Sequence, residues 1–308
     1  MIFTPIQSES LRVDCANTYV NTINNAFLVV CWNNEFVSEY INYIAQVIMD
    51  VMKRNNFELN IILATNNKIG IINTKKTIYI NINFEHSCVK EKYPNGTYID
   101  NLNKFTNSDI IVDYSIPNIH NVRESMLCEN LAKKMVYVGA SLYDELYISK
   151  ENRPLSALTT FIAMDIPRRV ELRRRIREKR IYYLNVTEIC GREIFDKTVL
   201  KEVYKNTKVL VNIHQCENRN TLEELRVLSA LQCGVLVIAE ESAYTELIPY
   251  HNLIIWSSYE SIVEKLAEVL ENYDSYHSKI FCEENVNILA GIHSKNVDAL
   301  EEKILACV

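Results

Sequence analysis

Residues 208–241 read KVLVNIH, QCENRN, TLEELRVLSALQC and GVLVIAEE in succession. An apolar run ends in His214, a polar break follows, and residues 221–233 carry apolar side chains at helical spacing. Gly234 then opens a second apolar run that ends in Glu240 and Glu241. Two such runs predict buried parallel strands, and the helix between them makes a βαβ crossover. Ligands of parallel sheets sit beyond the carboxyl ends of the strands. His214 and Glu240 fall there, so the segment predicts a binding site before it predicts a ligand.

Working outward, LIIWSS (253–258) is a further short strand. The amphipathic stretch 259–273 follows as a helix behind the cap residues Ser257 and Ser258. Upstream, LTTFIAMD (158–165) is read as a strand and 167–180 as a helix with Pro167 in its first turn. YYLNVTE (182–188) is a strand and 195–206 a helix, while 283–305 reads as one or two helices. The first half repeats the alternation. Strands are expected at 26–32, 59–65, 77–86, 109–115 (ended by Pro117) and 135–141. Helices are expected at 39–54, with Ile41, Ile44, Ala45, Ile48, Val51 and Met52 on one face, and from about 122 to 133.

This pattern predicts an α/β protein of two Rossmann-like domains facing a cleft. The first domain spans 1–141, a linker 142–157, the second domain 158–282 and a helical tail 283–308.

The chain's 308 residues suffice for two domains, and its 48% hydrophobic and 23% charged content is globular. A net charge of −6 argues against a protein that coats nucleic acid. Nine cysteines are scattered singly without metal-ligand spacing, as buried thiols of a reducing compartment would be. No apolar run approaches the roughly 20 residues of a membrane span. No leader is read at the start either, so a cytoplasmic location is expected. The triplets NGT (95–97) and NVT (185–187) match glycosylation acceptors but mean little without secretion.

The helix 167–180 carries eight basic residues and two acids. Most of these read as a solvated face. Arg168 and Arg169 differ, because they follow a buried strand at a helix N-terminus, where guanidinium groups can grip a phosphate. The stripe as an RNA surface lacks an aromatic platform. Glu223 and Arg226 lie three apart on one helix, fit either for an ordinary ion pair or for ligand support. Glu240 could accept the two hydroxyls of a ribose, with Ser242 beside it. In the first half Asn33, Glu85, His86 and Asp113 end strands, and Glu85 or His86 could act as a base toward a hydroxyl. Glycine-rich nucleotide loops, the GxSxG elbow, HExxH and Asp-x-Asp are all absent.

Several pieces occur in the order found in one family. FIAMDIPRRVELRRRI (161–176), KNTKVLVNIH (205–214), TLEELRVLSALQCGVLVIAEES (221–242) and SYESIVEKLAEVL (258–270) resemble the nucleotide-sugar domain of GT-B glycosyltransferases. The likeness is to group-1-like enzymes of bacteria and large DNA viruses. INFEH and VDYS resemble N-domain pieces more loosely.

The resemblance implies metal-independent transfer from a UDP- or GDP-sugar to a hydroxyl of a glycan, protein or small molecule. No other cofactor, nucleic-acid partner or membrane span is implied, and a homo-oligomer is compatible with it. It implies that Arg168, Arg169 and Lys208 face the diphosphate, with Arg169 and Lys208 neutralising the leaving group. Glu240 would bind ribose, and His214, Glu223, Arg226 and Ser242 would line the donor site. Where relatives carry an acid five residues before the glycine, this chain has Ser229. Either Glu223 takes over, or the protein is a noncatalytic nucleotide-sugar-binding or assembly protein on the same scaffold.

Overall fold

A computed structural model describes residues 4–5, 11–12, 17–23, 26–32, 37–64, 70–71, 76–87, 102–126, 128–162, 165–191, 193, 196–215 and 221–308. Asn33 and the NGT triplet lie outside them. The chain divides into two compact units, one of Met1–Gly139 with His293–Val308 and one of Ala140–Ile292.

The first unit contains β1 (Thr4–Pro5), β2 (Leu11–Arg12), β3 (Asn17–Ile23), β4 (Ala26–Trp32), β5 (Asn60–Ala64), β6 (Gly70–Ile71), β7 (Thr77–Asn83), β8 (Ile110–Asp113) and β9 (Met135–Tyr137). Seven of them form one sheet in the order β1-β3-β4-β5-β7-β8-β9, and β2 pairs with β6. From β4 to β9 every pairing is parallel, whereas β3 joins β4 as an antiparallel hairpin. Helix α1 (Ser38–Arg54) makes the β4–β5 crossover. It buries all six residues of the expected face. Glu39 in its first turn and Lys53 and Arg54 in its last complement the helix dipole.

The helix expected at 122–133 is two. Helix α2 (Ile116–Ser125) starts directly after β8, capped by Ser115, whose hydroxyl accepts from the Asn118 N–H at 3.4 Å. Pro117 sits in its first turn, where the missing N–H costs nothing. Met126, at φ 56°, breaks the run before α3 (Glu129–Ala132).

The second unit holds β10 (Leu155–Thr159), α4 (Pro167–Glu178), β11 (Tyr183–Asn185), α5 (Val186–Cys190), α6 (Lys197–Lys205), β12 (Thr207–Asn212), α7 (Glu224–Gln232), β13 (Leu236–Glu240), β14 (Ile254–Ser257), α8 (Ile262–Glu271) and α9 (Tyr273–Ile280). Its five-stranded sheet is wholly parallel, in the order β11-β10-β12-β13-β14. Strand β10 starts three residues earlier than the apolar run at 158 implies, because Leu155 already pairs with Thr207. Past Thr159 the backbone turns to Asn185 instead of extending a ladder, its Phe161 N–H meeting Asn185 Oδ1 at 2.9 Å. The run at 182–188 changes to helix at Val186, with Asn185 and Glu188 forming a capping box.

Gly234 adopts φ +67° ahead of β13. The final helix, α10 (Glu283–Leu305), is continuous, and its segment from His293 onward belongs to the first unit. Within that unit, Asn296 pairs with both backbone groups of Gly139, at 3.0 and 2.7 Å.

Candidate functional site

In the second unit the chain enters the sheet at β10, goes to β11 at one edge, and returns past β10 to β12. The direction of winding therefore reverses between β10 and β12. In doubly wound sheets the crevice beyond the carboxyl ends at this point is the ligand site. The loop after β10 leads into α4, and the residues after β12 begin with Ile213 and His214.

Four of the expected residues converge there. Arg168 donates from Nη2 to Glu240 Oε1 at 2.5 Å and from Nη1 to the His214 carbonyl at 3.3 Å. Glu240 Oε2 accepts the backbone N–H of His214 at 2.9 Å. The His214 ring lies 2.7 Å from Ser242 Oγ through Nε2. Glu240 is thus the inward acid, while Glu241 is exposed, as strand alternation requires. A ring that the sequence reading missed completes the cage. Arg168 lies 4.2 Å from the Tyr259 ring centroid, and the Tyr259 hydroxyl donates to the Arg168 carbonyl at 2.8 Å.

Arg169 points to the interior, its guanidinium 4.5 Å from the centroid of Phe161. Phe161 is held in turn by the Asn185 amide, which accepts from its N–H at 2.9 Å and donates to its carbonyl at 2.8 Å. Asn185 is fully buried, so NVT is no glycosylation acceptor but a loop clamp. The N-cap of α4, Ile166, offers no side-chain cap, Pro167 has no N–H, and the Arg169 and Val170 N–H groups donate to the Ile166 carbonyl at 2.9 and 3.0 Å.

Glu223 and Arg226 open α7 on the same carboxyl side of the sheet. The Arg226 N–H donates to the Glu223 carbonyl at 3.0 Å. Among the described residues, Arg226 Nη1 is buried without a hydrogen-bond partner. The fully buried acid here is Glu224, which accepts from the Tyr250 hydroxyl at 2.7 Å. Ser229 is buried, and its hydroxyl donates to the Leu225 carbonyl at 3.0 Å.

Lys208 does not join the site. It stands near the amino end of β12, six residues before His214, about 20 Å away at strand rise. Its ammonium rests 5.3 Å from the Tyr273 ring centroid. The arginine stripe is largely neutralised: Arg173 pairs with Glu188, Arg174 with Glu171 and Glu178, and Arg175 with Glu264.

In the first unit a buried polar network closes the carboxyl ends of β7 and β8. Asp113 accepts from Asn83 at 2.7 Å, the Ser115 N–H at 2.9 Å and Asn118 at 3.2 Å. Burial nevertheless pushes its carboxyl up to about 7, against these hydrogen bonds and the opposing influence of His86. His86 is itself buried, whereas Glu85 is exposed.

Among the described residues no group of three His, Cys, Asp or Glu side chains converges as a metal site. No described helix is long and apolar enough to cross a membrane.

These two α/β units, the second with its switch-point crevice, have the fold of the GT-B glycosyltransferases. T4 phage BGT in complex with UDP and Mn2+ shares it at a TM-score of 0.50 and 10% identity, over 87% of this chain and 94% of that one. TarM matches at 0.49 and 13% identity, over 94% of this chain and 62% of that one. No protein-family model matches the chain.

Sequence relatives are viral. Uncharacterized protein R358 of Acanthamoeba polyphaga mimivirus is 23% identical over 200 residues, covering 63% of this chain and 65% of that protein. Uncharacterized protein L137 of the same virus is 24% identical over 285 residues, covering 84% of this chain. The chain spans only 35% of L137.

Proposed function

We propose that this protein is a glycosyltransferase that moves a sugar from a UDP- or GDP-sugar to an acceptor hydroxyl without a metal ion. The observation that carries the reading is the linked set Arg168, Glu240, His214 and Ser242 at the switch point of the second sheet. A guanidinium has five N–H donors, and Arg168 uses two of them on Glu240 and His214. The remainder meet the diphosphate and stabilise the leaving group. A carboxylate has about four lone-pair positions, so Glu240, with two engaged, keeps two for a ribose diol.

On the acceptor side Glu85 takes the hydroxyl proton, as the exposed member of the pair considered. Ser229 favours a second reading. A buried serine bonded to its own helix stands where relatives carry an acid, which fits a noncatalytic nucleotide-sugar-binding protein.

Calorimetric titration with UDP, GDP and their sugar conjugates, with and without Mg2+ or Mn2+, tests both readings, followed by assay of donor turnover. Metal-independent binding of one conjugate with turnover supports the transferase. Binding without turnover on a broad acceptor panel supports the second reading, and no binding by folded protein removes both.

A further inference from the structure

Residues 84–87, which follow β7, are held by side chains. Asn118 Oδ1 accepts the Ser87 N–H at 3.1 Å, while Asn118 Nδ2 donates to the Glu85 carbonyl at 3.0 Å. The same amide nitrogen donates to Asp113 Oδ1 at 3.2 Å, which fixes which end of the amide meets Glu85 and which meets Ser87. Asn83 adds a second grip, with Nδ2 at 2.7 Å from Asp113 Oδ2 and 3.1 Å from the Glu85 carbonyl. Asp113, Asn118 and Ser87 are fully buried and Asn83 nearly so, yet the Glu85 side chain stands in solvent.

Burying a carboxylate and two amides under a surface loop is costly. What the arrangement adds is precision. Two backbone groups flanking His86 are pinned to the first turn of α2, itself set by the Ser115 cap. A group that must meet a reacting atom needs such support, because a misplacement of about 1 Å can cost on the order of 100-fold in rate.

We propose that Asp113 and Asn118 are positioning residues that hold the 84–87 loop so that Glu85 is presented in one orientation to the acceptor. This rests on the reading of Glu85 as the base. Asp113 orients the Asn118 amide, and Asn118 grips the loop; neither touches substrate.

The test compares wild type, Asn118→Ala, Asp113→Asn and Glu85→Gln, with Ser125→Ala, at the far end of α2 where its hydroxyl donates to the Val122 carbonyl, as a control that keeps the grip. Two readouts are taken: amide hydrogen exchange across 84–87, and turnover of UDP-glucose and GDP-glucose with water as acceptor. We expect Asn118→Ala and Asp113→Asn to lose protection at Ser87 and to lower kcat about 10- to 100-fold with an unchanged donor KM. Ser125→Ala should keep both the exchange pattern and kcat.

Unchanged Ser87 protection, or full kcat in the Asn118 and Asp113 variants, overturns the proposal. A Glu85→Gln enzyme with undiminished kcat overturns the base assignment instead, while the exchange data still judge the grip. A wild type that turns over neither sugar overturns the catalytic role outright.

Discussion

Arg168 and Glu240, 72 residues apart, meet at 2.5 Å at the point where the second sheet reverses its winding. The other carboxylate oxygen holds the His214 N–H. One acid therefore fixes both an arginine from the β10 side and the chain leaving β12. Removing it leaves a partly buried guanidinium and an N–H without their acceptor.

Glu240→Ala should therefore lower stability by about 2 to 4 kcal/mol, below the range for a fully buried pair because Arg168 keeps some contact with water. Donor affinity should fall about 10- to 100-fold, the worth of charged hydrogen bonds to a ribose. Urea unfolding and calorimetry with the bound nucleotide sugar measure the two effects. Undiminished donor affinity would remove Glu240 from the ribose.

Lys208 makes the opposite case. At about 20 Å from the site its charge is separated by more than a Debye length, so Lys208→Ala should change donor affinity by no more than about twofold. The loss should appear as about 0.5 to 1 kcal/mol of stability from the contact with Tyr273. A tenfold loss of affinity would return Lys208 to the diphosphate.

The contrast between these residues explains what the sequence could convey. His214 and Glu240 were legible because each ends an apolar run, and parallel strands present their carboxyl ends to ligands. Lys208 is set beside the diphosphate only by likeness to relatives, whereas counting residues along β12 puts it at the far end. The Asn185 grip on Phe161 was invisible, because an Asn-x-Thr triplet looks the same whether it is a buried clamp or an exposed acceptor. Tyr259 and Asn118 act across long sequence separations that no periodicity encodes. The break at Met126 carries no glycine or proline to announce it.

Two buried groups, one in each unit, should give opposite pH dependences. Burial raises the Asp113 carboxyl to about 7, so between about pH 4 and 7 the folded state binds more protons than the unfolded one. Stability from this group is therefore lost as pH rises through that window. Its slope approaches about 1.4 kcal/mol per pH unit, and Asp113→Asn should abolish it.

His277 is pushed down to about 4, chiefly by burial and then by the charge of Arg153. Between about pH 4 and 6.5 the unfolded state binds more protons, so this contribution is lost as pH falls. His277→Gln should remove the acid-side loss and leave the Asp113 slope intact. Urea titrations from pH 4 to 8 on the two variants separate the effects.

Gly234 gives the sharpest prediction about the framework. Its φ of +67° is unfavourable for any residue with a β-carbon. A methyl group there would also meet the Tyr147 carbonyl at 2.6 Å and Arg153 Nη2 at 2.8 Å. Neither can withdraw cheaply. The Arg153 guanidinium is already donating to the carbonyls of Ser149, Tyr204, Thr207 and Cys233, closing the amino end of the sheet.

Gly234→Ala should therefore cost about 2 to 4 kcal/mol, combining backbone strain with overpacking. The damage lies at the end of the sheet away from Arg168 and Glu240. Protein that still folds should thus bind its donor with unchanged affinity. Loss of donor binding in folded Gly234→Ala would show that the two ends of the sheet are coupled, which the separate hydrogen-bond networks at Arg153 and Glu240 argue against.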